Sequence, residues 1–180
     1  MGQIQTPRPV KLFVGMLAER AELFDIAQKE MSAGFGPIDA ASDVMPFDFT
    51  DYYKDEMGPN LQRKFAAFEN LINPKELASA KLFTNELEEK ISERFGSERR
   101  LINLDPGYIS LSKLVLASTK DYTHRIYLGD GIFAEVTLHY ANKQFNPWPW
   151  TYPDYKTEAY RRFFEFLRNQ YLDTLRRTNL

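Results

Sequence analysis

The chain contains no cysteine at any of its 180 positions. That one absence excludes disulfides, thiolate metal sites, iron–sulfur clusters and cysteine nucleophiles. Histidine is nearly as scarce, with only His124 and His139. The two fall on different strands of one expected hairpin, offset along it, so joint ligation would be awkward, and neither metal nor cofactor is expected. No apolar run approaches the roughly 18 residues that a membrane span requires. Residues 1–9 also lack the cationic and then apolar pattern of a signal peptide. These features lead to the expectation of a soluble, cytoplasmic protein with no membrane partner.

An excess of one charge is missing too. Lys and Arg number 23 and Asp and Glu 25, for a net charge of −2, and no basic tract offers itself to a nucleic-acid backbone. The densest basic stretch, Arg161, Arg162, Arg168, Arg176 and Arg177, is interleaved with Glu158, Glu165 and Asp173 at helical spacing. That pattern reads as a solvated helix face, so nucleic acid is not an expected partner. The phosphate-cradling Gly-x-x-x-x-Gly-Lys-Ser/Thr loop is absent. Gly34-Phe-Gly-Pro37 cannot serve as a dinucleotide fingerprint, because it lies at a helix end and places proline after the second glycine. Ser110-Leu-Ser-Lys113 matches the Ser-x-x-Lys pattern of serine acyl-enzymes without its companion motifs, and reads better as a capping serine beside a surface lysine.

What the chain does have is aromatic mass: 14 Phe and 10 Tyr within a 43% hydrophobic composition. This suits a single domain over residues 1–180 with a core large enough to need no staples. Residues 10–17 read as a buried strand and 19–33 as a helix stopped at Gly34-Phe35-Gly36-Pro37. A strand is expected at 38–47, a polar aromatic loop from Asp48 to Asn60, and another strand at 62–72. Pro74 then opens a helix near 75–95, and residues 101–104 form a strand ended by Asp105-Pro106-Gly107. The order predicts an α+β fold, a ferredoxin-like βαββαβ antiparallel sheet with helices on one face, extended by a C-terminal β-hairpin and a long helix.

Ser110 is expected to cap a short helix over Leu111–Ala117. Residues 122–128 and 132–140 predict a hairpin. A three-residue loop, Gly129-Asp130-Gly131, pairs Leu128 with Ile132, Tyr127 with Phe133, Ile126 with Ala134 and Arg125 with Glu135, which sorts apolar from polar residues. The segment from Phe145 to Tyr155, with three prolines, is expected to be ordered but irregular. The last helix spans about 156–177, with Ala159, Phe163, Phe166 or Leu167, Tyr171 and Leu175 facing inward.

Chemistry is best sought in Asn103-Leu-Asp105-Pro-Gly-Tyr108 together with Lys113 and the run from Ser118 to Arg125. An acid at a strand end, a glycine turn, and then Lys, His and Arg form a site-like mixture. Lys120 and Arg125, helped by Tyr108 and Lys113, suit the binding of a phosphate or carboxylate, and Asp105 and His124 suit proton transfer. The plainer reading is an ordinary Asp-Pro-Gly turn and an ordinary Arg125–Glu135 cross-strand pair. A second candidate is the loop from Asp48 to Gly58, with adjacent Tyr52 and Tyr53 and with Arg63 beyond, which reads as a pocket mouth or as a surface loop anchored by its aromatics.

The strings Leu101-Ile-Asn-Leu-Asp-Pro-Gly-Tyr-Ile, Val115-Leu-Ala-Ser-Thr-Lys-Asp, His124-Arg-Ile-Tyr-Leu-Gly-Asp-Gly-Ile and Trp150-Thr-Tyr-Pro-Asp-Tyr resemble a prokaryotic family named domain of unknown function 4416. The resemblance runs nearly end to end. It implies no particular activity and carries over no catalytic residue. Some relatives bear a GTP-binding label, but the guanine motif Asn/Thr-Lys-x-Asp is missing here, since Thr119-Lys120-Asp121-Tyr122 has its Asp one place early. Two readings stand: a site for a small anionic ligand such as a nucleotide or phosphorylated metabolite, binding or enzymatic, and a non-enzymatic interaction domain, with an oligomer as one form.

Overall fold

The apolar run from Val10 to Ala18 lies at the centre of the molecule. In the computed structural model, which describes residues 2–179, it is strand β1, and all nine of its residues are buried. In chain order there follow helix α1 (Glu22–Phe35), strands β2 (Ile38–Ala41) and β3 (Met45–Pro46), the one-turn helix α2 (Lys54–Met57), strand β4 (Gln62–Ile72) and helix α3 (Leu77–Arg94). The second half holds strands β5 (Ile102–Ile109), β6 (Lys113–Ser118), β7 (Ile126–Gly129), β8 (Ile132–Ala141) and β9 (Gln144–Pro147), then helix α4 (Glu158–Thr178). The nine strands make one sheet in the order β2-β4-β1-β5-β6-β8-β7, with β3 beside β4 and β9 beside β8. Every pairing is antiparallel, and the fold is α+β.

Alternation along the strands divides the core between two faces. Leu12, Val14 and Met16 of β1 meet Leu23, Phe24, Ala27 and Met31 of α1 and Leu87 and Ile91 of α3. Phe13, Phe65 and Ile109 point the other way, against Tyr160, Phe164 and Leu167 of α4. The early helices thus share one face as expected, whereas α4 covers the opposite one and completes three layers. Its buried residues are Tyr160, Phe164, Leu167, Tyr171 and Leu175, and Phe166 is exposed. Among the described residues no helix is long and apolar enough to cross a membrane.

Helix ends follow local chemistry. Gly36, at φ 95°, ends α1 with its N–H on the Ser32 carbonyl. Asn73 and Glu76 form a reciprocal capping box at the turn that leads into α3. The hairpin keeps the expected pairs Ile126–Ala134 and Tyr127–Phe133, but its loop differs. Asp130 (φ 53°) and Gly131 (φ 77°) make a two-residue turn closed by Gly129 opposite Ile132, and a bulge between Tyr127 and Gly129 absorbs the extra residue. A bulge thereby reconciles the tighter turn with the apolar register.

Other expectations are corrected outright. The segment expected at 38–47 is two short strands with a break between them. Leu111–Ala117 is not a helix: residues 113–118 form β6, and their alternation buries Leu114 and Leu116 on the α4 face, Val115 and Ala117 on the α3 face. Residues 144–147 are a ladder strand, β9, because Pro147 closes its free end, where the missing N–H costs nothing. Asp105-Pro106-Gly107 does not end a strand but lies in the middle of β5.

That last correction explains the shape of the sheet. Ser110 donates its N–H to Lys113, so the antiparallel pattern turns the backbone groups of Tyr108, Pro106 and Leu104 toward β6. Pro106 has no N–H to give. The ladder between β5 and β6 covers only Gly107–Ile109 and stops there. The backbone groups of Leu104 go to α3 instead: its N–H donates to Glu88 Oε1 at 2.6 Å, and its carbonyl accepts from Lys81 Nζ at 2.8 Å. Two side chains stand where a strand would have been.

Gly107 is needed for close approach rather than for a turn. A Cβ there would lie 2.5 Å from the Val115 carbonyl oxygen, 2.7 Å from the Phe13 ring and 2.9 Å from Leu116. Gly107→Ala is expected to cost about 1–3 kcal/mol or more in urea unfolding, since backbone on one side and a buried ring on the other leave no room to relax. A change below about 0.5 kcal/mol would refute this packing.

Candidate functional site

A cavity of about 870 Å³ opens where β5 and β6 part. Because the sheet is open there, side chains from its two faces meet. Lys81 comes from α3 on one side, and Arg63 of β4 and Asp154, just before α4, come from the other. Asp105 stands between them, with Lys81 Nζ 3.2 Å from its Oδ1 and Arg63 Nη1 4.0 Å from its Oδ2. Asn103 donates to Oδ2 at 2.6 Å, and Arg63 Nη2 lies 3.3 Å from Asp154. Room for Arg63 comes from Gly15, where a Cβ would lie 3.3 Å from Nη1.

These groups have unlike environments. Asp105 is 28% exposed, toward the cavity. Burial opposes its charge, but Lys81 and Arg63 prevail and hold the carboxyl below its ordinary value. Arg63 is only 4% exposed, and its Nε and Nη1 have no hydrogen-bond partner among the described residues. Burial pushes Asp154 up against the pull of Arg63. Burial likewise pushes Glu88, 7% exposed, up to about 7, against the pull of Lys81, the Leu104 N–H and Arg100 and with a small push from Asp105. Ionised Asp105 and a Glu88 poised near neutrality face one space.

The walls are aromatic and tethered. Phe49, Tyr52 and Tyr53, in the loop read either as a pocket mouth or as a surface loop anchored by its aromatics, line one side with Glu56. Arg100 holds that side through Glu56 at 2.6 Å. Lys120, on the opposite wall, donates to the Tyr52 hydroxyl and sits 4.0 Å above its ring. Behind Lys120, Arg125 donates to Glu135 at 2.9 Å, to Ser118 and the Lys120 carbonyl at 2.8 Å each, and to Tyr152. Arg125 therefore organises the wall and keeps few donors for a ligand.

Over its residues 8–171 the chain matches the model of a family described as Domain of unknown function (DUF4416). The chain belongs to this family. The match takes in every residue that lines the cavity. Comparison with curated proteins and with solved structures gives no match.

Of the candidates read from this DUF4416 sequence, Asp105, Lys120 and Arg125 come together at the cavity. His124 does not line it. Its ring bonds Glu135 at 3.1 Å and lies in a stack of aromatic rings, Tyr122–His124–Trp150–Trp148–His139, with neighbouring centroids 4.3–6.0 Å apart. Tyr108 faces Val115 on the α3 side of the sheet, and Lys113 is exposed at the far end of β6. Among the described residues no group of three or more His, Cys, Asp or Glu is placed to hold a metal ion. Lys81, Glu88, Arg100 and Asp154 were not singled out from sequence. The first two left a signal, as charges seven apart within the buried stripe of α3 that holds Ala78, Thr84 and Ile91.

A carboxyl whose pKa is higher in the fold than in the unfolded chain contributes stability below the unfolded value, and that contribution is lost as pH rises through the folded one. Wild type is therefore expected to lose up to about 3 kcal/mol relative to Glu88→Gln between about pH 4.5 and about pH 7. Chemical denaturation of both proteins across that range measures the difference, and a flat difference would contradict the assignment.

Proposed function

We propose that the cavity between β5 and β6 binds a small anionic ligand, a nucleotide or phosphorylated metabolite, with Lys120 at its mouth and Asp105 as a proton acceptor at its floor. The observation that carries this reading is Arg63, a buried guanidinium at the cavity wall whose Nε and Nη1 have no hydrogen-bond partner among the described residues. Lys81 adds a second buried cation, while burial pushes the Glu88 and Asp154 carboxyls above their ordinary values. A buried guanidinium with free N–H donors attracts an anion strongly, because solvent there is scarce. Asp105, ionised and open to the cavity, is placed to accept a hydrogen bond or a proton from a ligand. Arg125 positions Lys120 through the Lys120 carbonyl. Tyr52, Tyr53 and Phe49 supply flat faces for a ring on the ligand.

The same proposal includes a ferredoxin-like reading of residues 10–109, supported by the strand order β2-β4-β1-β5 and by α1 and α3 on one face. The alternative function, an interaction domain, has one observation in its favour. The edge strand β7 exposes Ile126 (72%), Tyr127 and Leu128 side by side. A dimer that persists on dilution in light scattering would favour that alternative.

The test is a thermal-shift series with inorganic phosphate, nucleotides and sugar phosphates, since a ligand selective for the native state raises its melting temperature. For any anion that does so, Lys120→Ala is expected to weaken binding about tenfold, and to leave the melting temperature of the free protein unchanged because that side chain is exposed. The absence of any shift across the series, or unchanged affinity in Lys120→Ala, would count against the site.

A further inference from the structure

The break in the sheet leaves a particular deficit. Gly107 opposite Leu116 sets the Ala117 N–H on the Pro106 carbonyl, but the return bond to the Ala117 carbonyl needs an N–H that proline lacks. Among the described residues no side chain donates to that carbonyl, and three donors that line the same cavity are committed elsewhere. Arg125 is spent on Glu135, Ser118, the Lys120 carbonyl and Tyr152. Lys81 is spent on Leu104 and Asp105. Ser118 Oγ already accepts from Arg125 and from the Lys120 N–H.

Asp105 adds a second deficit of the same kind. In register it lies one step beyond Pro106, across from the Ala117–Ser118 edge of β6. Lys81 and Asn103 occupy one acceptor position on each of its oxygens. A carboxylate offers about four such positions, so up to about two remain beside Arg63 Nη1, which lies 4.0 Å from Oδ2, and the side chain is open to the cavity. The inner end of the site therefore keeps acceptors to spare beside Lys81 and Arg63, and Lys120 and Arg99 also line the cavity.

We infer that the ligand is dipolar, with an amino or amide N–H group that enters the break and donates to the Ala117 carbonyl and the Asp105 carboxylate while its anionic group stays outward near Lys120. This rests on the anion-binding reading above and narrows it. The group supplies the donor that Pro106 withholds from the sheet. A ligand with a hydroxyl in the same place gives one weaker donor and no charge to set against Asp105.

Matched pairs that differ only in that group provide the test: O-phosphoserine against 3-phosphoglycerate, and glucosamine 6-phosphate against glucose 6-phosphate, each titrated calorimetrically into the full chain. The amino member is expected to bind at least about tenfold more tightly. Asp105→Asn is expected to erase the difference while anion binding persists. Pro106→Ala, which restores a donor to the Ala117 carbonyl, is expected to reduce the preference with no loss of melting temperature, so it remains informative if Asp105→Asn folds poorly. Equal affinity within both pairs overturns the dipolar assignment and leaves the anion site standing. Failure of all four compounds to bind overturns this inference, while the anion site stands or falls with the thermal-shift series on phosphate and nucleotides.

Discussion

One missing hydrogen-bond donor organises the centre of this molecule. An antiparallel sheet this wide needs each inner strand to be paired on both sides, because buried backbone groups without partners are costly. Pro106 faces β6 with no N–H, and the pairing between β5 and β6 stops at Gly107. Everything beyond that point must be satisfied in another way. The helix α3 does so with a lysine and a glutamate that bond the two backbone groups of Leu104. The cavity is the volume left between this substitute and the diverging end of β6. It is a consequence of the sheet's own bonding rather than a dent in its surface.

Once α3 supplies charged groups in place of a strand, the electrostatics follow. Lys81 cannot stand alone at such depth, and Asp105 is its partner. Asp105 also draws in Arg63, and Arg63 draws in Asp154 from the turn before α4. The chain of charges therefore crosses the sheet from the α3 layer to the α4 layer, which a closed sheet would forbid. Buried pairs of this kind add little net stability, because desolvation offsets much of their attraction, but removing one member strands the rest.

The sequence was legible where periodicity and punctuation agreed. The strand read at residues 10–17, the helix stopped at Gly34-Phe35-Gly36-Pro37 and the helix opened near Pro74 were all readable from local pattern. The reading failed where punctuation carried another meaning. Asp105-Pro106-Gly107 has the composition of a turn, yet Pro106 sits where the ladder ends and Gly107 where the backbone of β6 and Phe13 come close. Asp105, Lys120 and Arg125 could be gathered from sequence because they lie within one stretch of chain. Lys81, Glu88 and Asp154 belong to distant elements that only the tertiary arrangement brings to the cavity. Two charges in an otherwise buried helical stripe were the one local hint of that arrangement.

The ring stack beside the hairpin has an optical consequence. Both of the chain's tryptophans, Trp148 and Trp150, are members of it, their rings 5.3 Å apart and each next to a histidine. All indole fluorescence therefore originates in one ring stack, beside the hairpin where His124 shares Glu135 with Arg125. A shift of that hairpin changes ring overlap and quenching together, with no indole emission from elsewhere in the fold. The protein thus carries a built-in reporter on the side of the cavity that Arg125 holds in place.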